Sequence, residues 1–427
     1  MKKGTFSLLI VTGLLFISVA CKKKGCMDPA ANNYSSEAKK DDGSCTYDDP
    51  TVTNTIVEGN ITSNTTWSAS KIYELKGKVV VKSGYTLTIE AGTIIKAQEG
   101  SDVNASALII ERGAKISANG TSLKPIIFTS VLDNITIGQL SGTNLTEGDA
   151  GKWGGLIVLG NAPVSTADGN SVGQIEGIPA TESYGSYGGS NPADNSGTLN
   201  YISIRHSGTV IGSGNEINGL TLGGVGYGTT VSNIEVLSNL DDGIEIFGGT
   251  VNVSNVLISF IQDDAIDVDQ NWAGTLDNFY VINNTGTGSD EGMEIDGPEG
   301  TLTDGYFTIK NGTCIIYGGG EARADFKSKA QGTVENVTFG KARISASFND
   351  ADCTDKLDAF TNLVSDKLKF VNAKFTEISV ETSSTLCTVP SNYNTVAGTF
   401  MSSNSAATGA DKSVFNSWSW TSIKGKL

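Results

Sequence analysis

Three stretches of this chain share one pattern, in which two acidic residues and one small residue precede alternating apolar and acidic positions. The copies occupy residues 241–246, 263–268 and 290–295. Alternation with a period of two is typical of a β-strand, and the return of one strand pattern every 20 to 30 residues or so is typical of a solenoid. The pattern therefore predicts short strands that stack as parallel coils.

Stacking would place the acidic residues of the three copies in one outward column, because neighbouring parallel strands lie about 4.8 Å apart. Two carboxylates at this spacing repel by roughly 1 kcal/mol in water and about 3 kcal/mol at an effective dielectric constant of 20. Such a column stays hydrated, shares protons at raised pKa values, or binds a cation, and calcium suits hard oxygen ligands. The candidate calcium ligands are Glu245, Asp267 and Glu294 of the column, with Asp241, Asp263 and Asp290 of the doublets. Calcium is the one cofactor that the sequence indicates.

A second repeat places an asparagine before several strand patterns, as at Asn233, Asn255 and Asn278. Stacked amide side chains can hydrogen-bond to each other and to the backbone at a turn. We therefore interpret these asparagines as structural.

Segments upstream also read as short strands with glycine turns, namely LTIEAGTIIKA, LIIERGAKISANG, KPIIFTS and WGGLIVLGNAPV. They resemble a group of Bacteroidetes lipoproteins with the right-handed parallel β-helix of the pectate-lyase-like superfamily. The resemblance implies an all-β solenoid, but it is weak evidence for any activity. We predict a signal peptide over 1–20, a small module over 21–47, a linker over 48–66, a parallel β-helix over 67–345 and an irregular C-terminal cap over 346–427. Within the cap, residues 415–421 alternate and predict a final strand that covers the open end of the helix.

The N-terminus carries an export signal, because Lys2 and Lys3 precede an apolar run over 6–20 that is short for a bilayer span. The following Ser-Val-Ala-Cys resembles a bacterial lipoprotein signal, which implies that Cys21 is lipidated. Cleavage of a plain signal peptide near Ala20 is the alternative. The lysines that follow imply the outer membrane of a diderm bacterium, at the cell surface or the periplasmic face.

The remaining cysteines agree with export. Cys26 and Cys45 bracket a turn-rich segment, and a disulfide that closes such a loop stabilises the fold by roughly 3 kcal/mol. Cys353 and Cys387 form the next most plausible pair, which leaves Cys314 as a buried thiol.

The segment between the first two cysteines resembles a short module, Gly-Cys-x-Asp-Pro to Asp-Asp-Gly-Ser-Cys, of exported Bacteroidetes-type proteins. Its acids Asp28, Asp41 and Asp42 either bind calcium or shape turns.

The net charge of −16 argues against a nucleic-acid partner, whose phosphates require a basic surface. It also disfavours strongly anionic polymers unless a cation bridges them. The expected partners are the membrane, through the N-terminal lipid, and an extracellular polysaccharide or another surface protein.

Two kinds of catalysis are open to an acidic column. Shared protons would suit a glycosidase, with Asp242, Asp264 and Asp267 as candidate residues. However, the Gly-His-Gly and Arg-x-Lys segments of the polygalacturonase-like enzymes of the superfamily are missing. A calcium-dependent polysaccharide lyase would need a base near the acids, and the resemblance implies Arg323 or Lys327 for that role.

Aromatic residues near predicted turns offer the non-catalytic alternative, because exposed rings can stack on sugars. The candidates are Trp272, Tyr227, Tyr184 and Tyr187. The leading hypothesis is a lipid-anchored envelope protein that binds extracellular polysaccharide or another surface partner without catalysis. The lyase is the first alternative, and a purely structural or adhesive envelope protein is the second.

Overall fold

The computed structural model describes residues 23–29, 31, 33–45, 54–211, 215–285 and 288–427. It divides into two compact units, Met1–Thr53 and Asn54–Leu427. The predicted signal peptide and lipidation site Cys21 lie outside the described residues. None of the helices in the described part of the chain is long and apolar enough to cross a membrane.

The first unit is closed by the predicted disulfide between Cys26 and Cys45, with a Cα–Cα distance of 4.7 Å. The carboxylates of Asp41 and Asp42 accept hydrogen bonds from the backbone N–H groups two residues further on, at 3.0 and 3.1 Å. These contacts are Asx turns, so both acids shape the local backbone.

The second unit is built from strands that pair in parallel with the strand of the next coil, apart from a short antiparallel pair formed by β10 and β11. The strands are β1 (Thr55–Ile61), β2 (Thr65–Trp67), β3 (Ile72–Val81), β4 (Thr86–Ile89), β5 (Ile94–Ala97), β6 (Ala107–Ile110), β7 (Lys115–Asn119), β8 (Ile126–Ser130), β9 (Leu156–Leu159), β10 (Gly173–Gln174), β11 (Ser186–Tyr187), β12 (Gly197–Arg205), β13 (Leu220–Gly223), β14 (Thr230–Leu237), β15 (Ile244–Phe247), β16 (Asn252–Ser259), β17 (Ile266–Asp269), β18 (Thr275–Asn283), β19 (Met293–Ile295), β20 (Phe307–Ile316), β21 (Ala324–Phe326), β22 (Gly332–Thr338), β23 (Lys341–Ser345), β24 (Leu368–Val371) and β25 (Glu377–Glu381). The helices are α1 (Ala359–Val364), α2 (Tyr393–Phe400) and α3 (Trp420–Ile423).

Several of the long strands bend at an asparagine, as the sequence predicts. Asn233, Asn255 and Asn278 have φ angles of 54°, 54° and 61°, in the left-handed region that asparagine tolerates better than most residues. The Asn255 amide donates to Asn233 Oδ1 at 3.1 Å, and the Asn278 amide donates to Asn255 Oδ1 at 2.8 Å. The asparagine ladder therefore forms one corner of the stacked coils.

The core is a column of aliphatic side chains inside the coils. Ile244 pairs in register with Ile266, and Val268 with Ile295, and all four are buried. Burying an aliphatic side chain of this size stabilises a fold by about 1.5–3 kcal/mol. The inward half of the alternating pattern therefore drives the stacking.

The coils extend further than the sequence predicts. β1 begins at Thr55, inside the segment expected to be a linker, and pairs with β3. At the other end, β24 and β25 continue the coils by pairing with β22 and β23. Residues 359–400 contribute α1 and α2, and the disulfide Cys353–Cys387 joins the cap with a Cα–Cα distance of 5.6 Å.

The predicted final strand over 415–421 is wrong. The segment forms a 3-10 turn at Lys412–Phe415 and the short helix α3, and it lies on the outside of the coils. Phe415 and Trp418 are three residues apart, which brings both onto one face of a helical turn, where they are buried. The Ser419 hydroxyl accepts from Ser422 N and starts α3.

Candidate functional site

The outward side chains of one arm of the coils form a continuous column. Register pairing places Thr221 beside Glu245, Glu245 beside Asp267, and Asp267 beside Glu294. The column continues to Asp325 and Arg343. We call the outward side chains of Glu245, Asp267, Asp269, Glu294 and Asp325 the acidic face.

The small residue of each repeat allows the coils to approach at the turn before the acidic face. A Cβ atom on Gly243 would lie 2.5 Å from the carbonyl oxygen of Ala265 in the next coil. A Cβ atom on Gly292 would lie 2.9 Å from Cβ of Cys314. Glycine at these two turns therefore leaves room for the close approach of the next coil.

The second acid of the doublet is buried in all three repeats, and in the first two it ties one coil to the next. Asp242 Oδ1 accepts a hydrogen bond from Asp264 N at 3.1 Å, and Asp264 Oδ1 accepts one from Glu291 N at 2.7 Å. Asp242 and Asp264, which are candidate catalytic acids by sequence, therefore also have a structural role.

The acids gather into three clusters whose ligand oxygen atoms all lie within 4.8 Å of one another. The clusters are Asp241, Asp242 and Asp263, then Asp242, Glu245 and Asp267, and finally Asp264, Glu291 and Glu294. Of the six predicted calcium ligands, Glu245 and Asp267 come together in the second cluster, Asp241 and Asp263 in the first, and Glu294 in the third. Asp290 is exposed at the turn and belongs to none of the three.

Burial and mutual repulsion raise the pKa values across these clusters. Burial first, then Asp263, raises the pKa of Asp241 to about 7, and burial followed by Glu294 raises that of Asp264 to about 9. For Glu245 and Asp267, burial and the neighbouring carboxylates shift the pKa well above the usual range. The three predicted acids of the column are half-buried, with Asp263 and Asp290 exposed at the turns, so their position favours shared protons or a bound cation over full hydration. Protons or cations must compensate their charge.

Basic side chains reach the downstream end of the column. Lys327 pairs with Glu294, and Arg323 pairs with Asp290 and, at 2.7 Å, with Glu291. Both basic residues of the lyase hypothesis thus contact the acids. Arg343, which the sequence analysis does not single out, pairs with Glu291 at 2.7 Å and with Asp325. The sequence pattern that could have identified Arg343 is the alternation of Lys341-Ala-Arg-Ile, which repeats the outward–inward order of the acidic strands.

Lys327 holds its proton. Burial lowers the pKa of this ammonium group, but the contact with Glu294 and the charges of Asp296 and Asp264 outweigh it and raise the pKa overall. Lys327 and Arg343 also line an open cavity of about 290 Å³ with Asp325, Asp358 and Glu381.

The upstream acids lack such partners. Within the described residues, Asp242, Glu245 and Asp267 form no salt bridge with a lysine or arginine, and Asp267 Oδ1 is buried without a hydrogen-bond partner. Within the described residues, the clusters without a basic partner are therefore the first two, and of these two only the second contains side chains of the acidic face.

Two of the four predicted stacking aromatics are buried, which corrects the sequence analysis. Trp272 donates from Nε1 to Val251 O at 3.1 Å, and the Tyr187 hydroxyl donates to Gln270 Oε1 at 3.0 Å. Their rings fill gaps under the turns because each polar tip finds a partner there. Tyr184 is half-buried, and Tyr227 alone of the four is largely exposed.

A family model described as a pectate-lyase like beta helix domain matches residues 59–422. No curated protein matches the sequence. The chain is similar to two crystal structures of the pectin methylesterase from Aspergillus niger. The penultimately deglycosylated form is 12% identical over 75% of this chain and 89% of that chain, with a TM-score of 0.24. The deglycosylated form is 10% identical over 74% and 87%, with a TM-score of 0.20. Likenesses this distant have no bearing on activity.

Proposed function

We propose that this chain, which belongs to the pectate-lyase-like β-helix family, binds carboxylated polysaccharide without cleaving it. The binding surface is the acidic face of its coils, and a divalent cation bridges that face to the polysaccharide. The observation that supports this proposal is the uncompensated cluster of Asp242, Glu245 and Asp267. An acidic face repels an anionic polymer unless a cation stands between them.

Calcium fits the residues at this cluster. The donors are carboxylate oxygen atoms, which calcium prefers, and the buried Oδ1 of Asp267 has no protein partner. Calcium bound there would supply positive charge to which a sugar carboxylate can bind. The chain itself would add Lys327 and Arg343, whose charged groups lie further along the same face beside the open cavity.

Binding without cleavage is favoured over elimination by the state of the basic groups. A lyase needs a base that accepts the proton next to a uronate carboxylate, whereas Lys327 is protonated and Arg323 is engaged by two carboxylates. A polysaccharide lyase is the second candidate, supported by the position of Lys327 and Arg343 at the end of the column.

The test is binding of polygalacturonate to the mature chain in calcium and in EGTA. We expect retention in calcium, loss in EGTA, and at least a tenfold weaker interaction for Asp267→Asn, whose carboxylate belongs to the open-face cluster and does not line the cavity at Glu245. Glu335→Gln, an exposed acid on another arm of the coil, is the matched control. Equal binding in EGTA would overturn the cation-bridged interaction. Release of sugars with a new carbon–carbon double bond, detected by their ultraviolet absorbance, would show that the protein is a lyase.

We further propose that Cys21 carries the lipid and that the protein resides at the outer membrane of a diderm bacterium. This proposal is supported by the order of features in residues 2–21, where two lysines precede an apolar run that ends at a cysteine. Metabolic labelling with a palmitate analogue should mark the wild-type chain and not Cys21→Ser. Equal labelling of both would refute the anchor.

A further inference from the structure

Two segments outside the coils cover the apolar upstream half of the outward column. The described parts of these segments, residues 164–187, 208–211 and 215–218, are here called the cover, and they pack on the outward side chains of Ile109 and Ile157. Ile175, Ile178 and Ile217 supply the apolar side of the cover. The cover ends where the column changes from apolar to acidic residues, because Ile157 pairs with Thr221 and Thr221 pairs with Glu245.

A small cavity of about 30 Å³ lies at this junction. Its polar lining comes from both sides: Glu176, Glu216 and Asn218 of the cover, and Thr221, Asp241 and Glu245 of the coils. A buried water needs roughly 10–15 Å³ of such space, so the cavity admits one ion with a water and excludes a sugar.

Asn218 points to what the cavity holds. The residue is only 6% exposed, and its Oδ1 atom is buried without a hydrogen-bond partner. The Nδ2 atom of the same amide donates to Thr221 Oγ1 at 3.3 Å and to Glu245. A buried carbonyl oxygen without a partner is costly, and the carboxylates that line the same cavity cannot donate to it when ionised. A cation satisfies the amide oxygen and the carboxylates together.

We propose that this cavity binds a calcium ion that fastens the cover to the coils, with Glu216 and Asn218 as ligands from the cover and Asp241 and Glu245 as ligands from the coils. Glu176 lies at the exposed mouth of the cavity and adds a further oxygen donor. The donor set consists of carboxylate and amide oxygen atoms, which suits calcium better than transition metals. Glu245 lies between this cavity and the open-face cluster, so the two sites share its carboxylate, whereas Glu216 and Asn218 belong to the cover site alone and Asp267 to the open face alone. The role of the cover ion does not depend on polysaccharide.

The experiment measures calcium stoichiometry by equilibrium dialysis of the mature chain, together with protease resistance of the cover in calcium and in EGTA. We expect Glu216→Gln to remove one bound calcium per chain and to expose the cover to cleavage in calcium. Glu176→Gln should weaken the same site at least threefold. Asp267→Asn, which changes only the open face, should leave the cover protected. Glu182→Gln, an exposed acid of the cover that does not line the cavity, is the matched control.

Unchanged stoichiometry and protection in both Glu216→Gln and Glu176→Gln would overturn the site. Loss of the same single calcium in Glu216→Gln and Asp267→Asn would overturn its separation from the open face. Retention of this calcium by a chain that fails to bind polygalacturonate would leave the cover site standing while the proposed function falls. Magnesium that protects the cover as well as calcium does would overturn the choice of ion.

Discussion

Without calcium, the acidic clusters should make the coils less stable as the pH rises. Asp264 carries the argument, because burial and then Glu294 raise its pKa to about 9 in the folded chain, against about 3.9 in an unfolded one. Between these two values the folded state keeps a proton that the unfolded state has released. The unfolded state therefore binds fewer protons, and the free energy of unfolding falls with rising pH over this range.

The slope follows from the linkage relation. One such group costs about 1.4 kcal/mol per pH unit, so moving from pH 5 to pH 7 removes roughly 2.7 kcal/mol through Asp264 alone. For the second unit of roughly 370 residues, an unfolding entropy of about 2.1 cal/mol/K per residue converts this loss to about 3.5 °C in Tm. The other acids with raised pKa values act in the same direction, so the measured fall should be larger.

Scanning calorimetry of the mature chain in EGTA at pH 5, 6, 7 and 8 checks this expectation. The variant Asp264→Asn is neutral at every pH, and its Oδ1 can still accept the hydrogen bond from Glu291 N. It should flatten the slope by about 1.4 kcal/mol per pH unit, whereas Glu335→Gln should not. A Tm that stays level or rises between pH 5 and pH 8 in EGTA would refute the reasoning. Saturating calcium should remove most of the slope, since the ion replaces the protons.

Three further changes probe the fold that holds the site, each followed by thermal unfolding. Asn255→Ala should lower the unfolding free energy by about 1–3 kcal/mol, because alanine at φ 54° is strained and two ladder hydrogen bonds are lost. Asn255→Gly should regain only the part of this free energy that is due to backbone strain. Gly243→Ala should cost about 1–3 kcal/mol, since the new Cβ atom would lie 2.5 Å from Ala265 O, and an unchanged Tm would contradict this close approach. Trp420→Ala should cost about 3–5 kcal/mol by emptying a buried site on the outside of the coils, while Tyr227→Ala, at an exposed ring, should cost little.

The sequence predicts the coils because their periodicity is local. A period of two needs only a few residues to show which side chains face inward, and the stacking of Ile244 on Ile266 follows from the repeat length alone. The asparagine corners can also be predicted from the sequence, since few residues other than glycine and asparagine tolerate a left-handed backbone. The disulfide between Cys26 and Cys45 follows from a short loop.

The burial of the site is beyond such reasoning, because it comes from contacts distant in sequence. Trp272 and Tyr187 sit near predicted turns, and only the stacked coils show that their rings lie underneath. The cover reaches the acidic face through Glu216 and Asn218, which carry no repeat signal of their own. The C-terminal segment alternates as a strand would, but the buried carboxylate of Glu235 accepts the backbone N–H groups of Trp420 and Thr421 and favours a helix start.

Basic side chains pair with the downstream acids of the column but not with the upstream acids. This difference is the strongest reason to expect a ligand on the upstream acids. Solubility does not require stacked carboxylates, and the same column carries Thr221 one coil upstream. Downstream, the acids form ion pairs with Lys327, Arg323 and Arg343, so basic side chains compensate the charge in that part of the column. The cluster around Asp267 lacks them and loses several kcal/mol to repulsion or protonation at neutral pH. A cation at a hundred times its dissociation constant returns about 2.7 kcal/mol, which is of the same order. Cation binding would therefore offset a loss of free energy that the unpaired acids cause in the folded chain.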